Sequence, residues 1–175
     1  MIKNENIVEK ALAFSAEAYQ GRISRISKKP YIIEIAEAVI VMSEIDPEDR
    51  DMMAAAALNK ITYNTDVTYD MIEEEFGTRI KNIVKSADVS DIESMKKLPL
   101  KIKMLILSEK TAELRCLSRE YSYYNEELWA HLPENNPGVL AEYYYKLSDV
   151  FTEFEEYDVF REFERLVARL FVKHR

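Results

Sequence analysis

The stretch Ala54-Ala55-Ala56-Ala57-Leu58-Asn59-Lys60-Ile61-Thr62-Tyr63-Asn64-Thr65-Asp66-Val67-Thr68 decides how the rest of the chain is read. Four consecutive alanines let a helix backbone come close to its neighbours, which predicts a central, tightly packed helix. Its C-terminal end carries Asn59, Lys60, Tyr63 and Asn64 where the apolar face should continue. Either the helix simply surfaces there, or polar side chains emerging from a buried helix end build a site. A polar turn follows, and Thr68 caps the next helix.

Outward from that stretch, no β pattern persists and helix signals follow one another. A first helix is expected over about residues 6–19, with Ile7, Ala11, Phe14 and Ala18 near one face and Gly21 as its stop. Pro30 opens a second, with Ile32, Ile35, Ala36, Val39, Ile40 and Met42 on its apolar side. Asp46-Pro47-Glu48-Asp49 reads as the start of the third, with Asp46 at the N-cap. Thr68 should begin a short helix ending at Gly77, followed by a fifth from Arg79 to Asp88. Ser90-Asp91-Ile92-Glu93 reads as a capping box, and Leu98-Pro99 as a break. A long helix over about residues 100–121, another from Asn136-Pro137-Gly138, and a last one capped by Asp158 complete an all-α chain.

With 175 residues, no linker and no internal repeat, a single domain spanning 1–175 is expected. Three glycines and five prolines favour helix throughout. The lone cysteine, Cys116, has no intrachain partner and fits a reducing cytoplasm. Residues 1–10 are mixed and charged, unlike a signal peptide, and no apolar run reaches membrane-span length. A net charge of −8 argues against a nucleic-acid polymer as partner, since phosphate neutralisation needs clustered Lys and Arg. Arg22, Arg25, Lys28 and Lys29 nonetheless crowd one loop, either as a solvated turn or as a local basic pocket.

Five segments then stand in a telling order: Ala18-Tyr19-Gln20-Gly21-Arg22, Pro30-Tyr31-Ile32-Ile33-Glu34-Ile35, Ala55 to Thr65, Phe76-Gly77, and Leu107-Ser108-Glu109-Lys110-Thr111-Ala112-Glu113-Leu114-Arg115. In order and spacing, across about residues 7–117, they resemble the metal-dependent HD hydrolase domain of RelA/SpoT-type alarmone (guanosine tetraphosphate) pyrophosphohydrolases. That family reads A-H-x-G-Q, P-Y-I-x-H-P, A-A-L-L-H-D-x-x-E-D-T-x-x-T, F-G and L-A-D-K-x-x-N-L-R. The resemblance implies an HD-type helical bundle. It puts Tyr19 at the first His, Glu34 at the His of P-Y-I, Asn59 and Lys60 at the His-Asp pair, and Glu109 at the late Asp. Tyr63 and Asn64 fall where active members carry an assisting acidic pair, and Glu113 replaces an Asn.

No metal ligand is therefore kept in kind, and the two histidines, His131 and His174, fall outside these positions. A fixed cation at a ligand position repels a divalent ion. The expectation is that the Lys60 ammonium fills the metal's place between Glu34 and Glu109, with no metal or other cofactor and no catalytic residue.

Arg22, Arg25, Lys28, Lys29, Lys110 and Arg115 are the candidate phosphate contacts implied by the resemblance, with Tyr144 or Tyr145 reaching a base or ribose. Three functions remain open: an inactive HD-fold protein binding a nucleotide, another small phosphate ligand or a protein; an active phosphohydrolase holding Mn²⁺ or Mg²⁺ on Glu34, Asn59 and Glu109; or a helical scaffold, dimeric through Phe151, Phe154, Phe160, Phe163 and Phe171.

Overall fold

In the computed structural model, which describes residues 6–133 and 136–174, the chain forms ten α-helices and, among the described residues, no strand. The first helix, α1 (Ile7–Ala18), starts where the Asn6 side chain accepts the Val8 amide at 3.1 Å and stops before Gly21, whose φ of +75° L side chains rarely adopt. A loop closed by a single β-bridge between Ile23 and Pro30 leads into α2 (Ile32–Ile45).

Asp46 ends α2 rather than beginning the next helix. It is extended at φ −145°, and the cap of α3 (Arg50–Leu58) is Asp49, whose carboxylate accepts the Met52 amide at 3.2 Å. Either aspartate could cap. Because α2 runs on to Ile45, Asp46-Pro47 is used up as the connecting turn. The alanine run behaves as expected: Ala54 to Ala57 are at most 2% exposed, and α3 packs against α1 and α2. Ser15 on α1 donates to the Ala57 carbonyl at 2.6 Å, a buried bond that only so close an approach permits.

Asn59 is the C-cap of α3, and one further turn, α4 (Ile61–Asn64), occupies the stretch read as a polar turn. The two helices expected on either side of Gly77 form one element, α5 (Tyr69–Ser86), kinked at Gly77 with φ +84° and ψ +165°. Thr68 caps it by accepting the Met71 amide at 3.2 Å. Asp91, not Ser90, caps α6 (Ile92–Lys96), accepting the Ser94 amide at 2.8 Å.

The long α7 (Leu100–Tyr124) packs along α2 and α10 and supplies much of the core. The turn α8 (Leu128–His131) precedes α9 (Pro137–Val150), which Asn136 caps, and α10 (Asp158–Phe171) closes the bundle with Tyr157 rather than Asp158 at its N-cap. Phe151, Phe154, Phe160, Phe163 and Phe171 are at most 3% exposed within this one chain, so they form core and not a free interface. No helix is long and apolar enough to cross a membrane among the described residues. Part of the N-terminal stretch, residues 1–5, lies outside the described residues.

Candidate functional site

The end of α1, the Arg22–Pro30 loop, the start of α2, the α3–α4 junction and the middle of α7 enclose a cavity of about 540 Å³. Tyr19, Glu34, Asn59, Lys60, Tyr63, Asn64, Glu109 and Glu113 all line it, so the positions picked from scattered motifs share one chamber. Arg22, Arg25 and Lys110 join them, while Ile35, Ala38, Ala56, Ala112, Leu117 and Leu140 supply apolar wall.

Four of the expected ligand contacts are elsewhere. Arg115 turns to the opposite side of α7, binding Glu162 with two nitrogens at 2.8 and 2.6 Å and reaching Glu37 at 3.1 Å and Glu44 at 2.7 Å. Lys28 folds its ammonium back onto the Arg25 carbonyl at 2.8 Å. Tyr144 is 1% exposed and stacks on Phe171, inside the core. Lys29, from the same basic loop, instead pairs with the buried Glu120 on α7 at 3.3 Å and ties the loop down.

Lys60 does not bridge Glu34 and Glu109. Its backbone is left-handed, at φ +59° and ψ +7°, and its ammonium lies 3.8 Å from Asp88 and 3.4 Å from the Ala87 carbonyl, over the Tyr63 ring. The cation that meets the α7 carboxylates is Lys110, 3.2 Å from Glu109 and 2.9 Å from Glu113. Burial pulls its pKa down, but the two glutamates outweigh that and hold the ammonium well above the usual lysine range. Asn59 donates to the other Glu109 oxygen at 2.6 Å.

Glu34 is served separately. Ser24 donates its hydroxyl to the carboxylate while its oxygen accepts the Ile26 and Ser27 amides, both at 3.0 Å, and Cys116 lies 3.4 Å away. Burial, reinforced by the charge of Glu113, raises the Glu34 pKa from its ordinary value even against these hydrogen bonds. Burial, and then the Glu34 charge, pushes the Cys116 thiol up to about 12, which leaves it an inert neutral donor.

The family's divalent ion does not fit this donor set. Glu34 is tied to Ser24 and Cys116, Glu109 to Asn59 and Lys110, and Lys60 is itself a cation. No three His, Cys, Asp or Glu side chains are grouped to hold a metal among the described residues.

Tyr31 is the residue that motif mapping left out, although it is the tyrosine of Pro30-Tyr31-Ile32. Its ring packs on Tyr19 at 4.9 Å between centroids, and burial, then Tyr19 and the glutamates Glu34, Glu109 and Glu113, raise its pKa. Burial likewise takes Tyr19 up to about 12, so both phenols are neutral donors at physiological pH.

No family model matches the chain. It is 31% identical over 78 residues to the guanosine-3′,5′-bis(diphosphate) 3′-pyrophosphohydrolase of Aquifex aeolicus (strain VF5), covering 45% of this chain and 11% of that protein. It is 36% identical over 81 residues to a chloroplastic protein of Oryza sativa subsp. japonica named as a GTP diphosphokinase, covering 46% of this chain and 9% of that one. The chain thus spans only about a tenth of the curated relatives it matches. A solved structure described as a metazoan ortholog of SpoT that hydrolyses ppGpp and plays a role in starvation responses superposes with a TM-score of 0.68, at 16% identity, over 95% of this chain and 94% of that one. Motif order, sequence similarity and all-α architecture together make this chain a relative of the RelA/SpoT-type HD domains.

Proposed function

We propose that this domain binds a small phosphorylated ligand of nucleotide type and does not hydrolyse it. One observation carries the reading: the positions mapped to metal and catalytic groups meet in one cavity, yet each is already held by a neighbouring side chain, Glu109 by Asn59 and Lys110, Glu34 by Ser24, and Lys60 by Asp88. Hydrolysis of a phosphate ester requires a water made nucleophilic, by a metal ion or by a free base at hydrogen-bond distance. Here Glu109 is engaged by an amide and an ammonium, and Glu34 is hydrogen-bonded and shifted toward its protonated form. Tyr63 and Asn64 offer no base at physiological pH.

Binding needs less. The cavity volume lies within the range of about 300–1,000 Å³ usual for small-molecule sites. Arg22 and Arg25 line it from exposed positions, and neither has an ion-pair partner among the described residues, so both remain available to an anionic group. The test is incubation with guanosine tetraphosphate and excess Mn²⁺ beside an active family member, followed by chromatography of the products. The expected result is intact nucleotide together with a ligand-dependent rise in melting temperature. Release of pyrophosphate would overturn the reading.

A further inference from the structure

The hydrogen-bonding groups of the cavity are not evenly distributed. At the exposed edge stand two guanidinium groups, Arg22 and Arg25. On the walls stand three carboxylates, Glu34, Glu109 and Glu113, against one ammonium, Lys110, because Lys60 is engaged by Asp88. Glu109 has both oxygens engaged, Glu113 meets Lys110 and faces the Tyr144 hydroxyl, and no hydrogen bond reaches the second oxygen of Glu34 among the described residues. The Asn59 amide oxygen, on a residue 4% exposed, also has no hydrogen-bond partner among the described residues, and the Tyr19 hydroxyl beside it faces Asn64. An anion pushed against this wall would meet three carboxylates against one ammonium. A hydroxyl or amino group would find acceptors waiting.

We infer that the cavity takes its ligand phosphate-outward: a head that donates hydrogen bonds through hydroxyl or amino groups, as a nucleoside does, enters against Tyr31, Glu34 and Glu113, while the anionic end stays at the rim with Arg22 and Arg25. The inference rests on the binding reading above and adds to it the orientation and the ligand class, a nucleoside monophosphate rather than a bare polyphosphate. Tyr31 gives the head a ring edge and a hydroxyl donor, and Ala38, Ala112 and Leu140 supply apolar surface for its flat part.

Calorimetric titration of the full chain with guanosine 5′-monophosphate, guanosine and inorganic pyrophosphate tests it. The nucleotide should bind, the nucleoside should bind more weakly, and pyrophosphate should displace neither. Replacing Arg22 and Arg25 with alanine should weaken the nucleotide about tenfold and leave the nucleoside unchanged, as expected for charge-assisted contacts to phosphate alone. Glu113→Gln and Tyr31→Phe should each weaken nucleotide and nucleoside alike, by about five- to tenfold. Unaltered melting curves identify which variants keep the fold, and Glu113→Gln decides if Tyr31→Phe does not. Pyrophosphate competing as strongly as the nucleotide, or Glu113→Gln tightening the nucleotide, would overturn the orientation while leaving the binding reading intact. Heat from none of the three probes would overturn both.

Discussion

Between Glu109 and Glu113 a single ammonium, that of Lys110, balances two carboxylates in a largely dehydrated place, so its removal leaves both uncompensated. Breaking a buried ion pair on one side costs several kcal/mol, reduced here because Glu113 keeps part of its surface in water. Lys110→Met should therefore destabilise the chain by about 2–3 kcal/mol, seen as a lower denaturation midpoint, and adding Glu113→Gln should recover part of the loss. Glu34 behaves in the opposite sense. Its folded-state pKa is raised by burial, so the folded state binds more protons than the unfolded state, and its charge works against folding once the pH exceeds the folded value. Glu34→Gln should raise the melting temperature near pH 7 by about 2–4 °C, with the gain shrinking toward pH 4 as the wild-type carboxyl becomes protonated. An equal gain at both pH values would contradict the burial argument. Lys60 shows what sequence could not carry at this scale. Its position in the chamber followed from motif spacing, but its left-handed backbone aims the ammonium at Asp88, and no residue type announces a positive φ at a lysine.

On the scale of elements, α7 explains why neighbouring motif residues part company. Lys110 lies in the cavity, and Arg115, five residues on, is rotated about 140° around a helix of 3.6 residues per turn. The linear match to the family pattern put both at the ligand, whereas helix geometry puts one inside and one among Glu37, Glu44 and Glu162 on α2 and α10. Arg115→Ala should lower stability by about 2–3 kcal/mol through the stranded glutamates and leave ligand affinity unchanged by calorimetry. A lost affinity with unchanged stability would return Arg115 to the site. The kink in α5 makes a second claim. Gly77 sits at φ +84° and ψ +165°, a region open essentially to glycine alone, although a methyl group there would meet no atom within 4 Å. Gly77→Ala should cost about 1–3 kcal/mol from backbone strain alone, read from chemical denaturation. The Phe76-Gly77 pair was recognisable in sequence as punctuation, but not that the chain would stay helical on both sides of it as one element.

Across the whole molecule, the helical periods, the Thr68 cap, the helix start at Asn136 and the Ala54–Ala57 run were legible because each is a local consequence of side-chain size and hydrogen-bonding capacity. The convergence of Tyr19, Glu34, Asn59 and Glu109 was legible only through motif order, since those residues are up to 90 positions apart, with the five helices α2 to α6 between the first and the last, and no local signal links them. The internal pairing at the positions mapped to the ion's ligands was only half legible. A lysine and glutamates at ligand positions showed that charge had been rearranged, and packing decided that Lys110 and Asn59, not Lys60, would answer Glu109. The all-α fold is shared with the SpoT-like structure, and the proposed reading is that the chemistry of its central chamber differs. The most direct test is titration of the purified chain with Mn²⁺, following free ion by electron paramagnetic resonance. The account predicts no stoichiometric binding at micromolar ion, and the same titration curve for Glu109→Gln as for the wild type. One tightly held Mn²⁺ per chain, lost in Glu109→Gln, would contradict it.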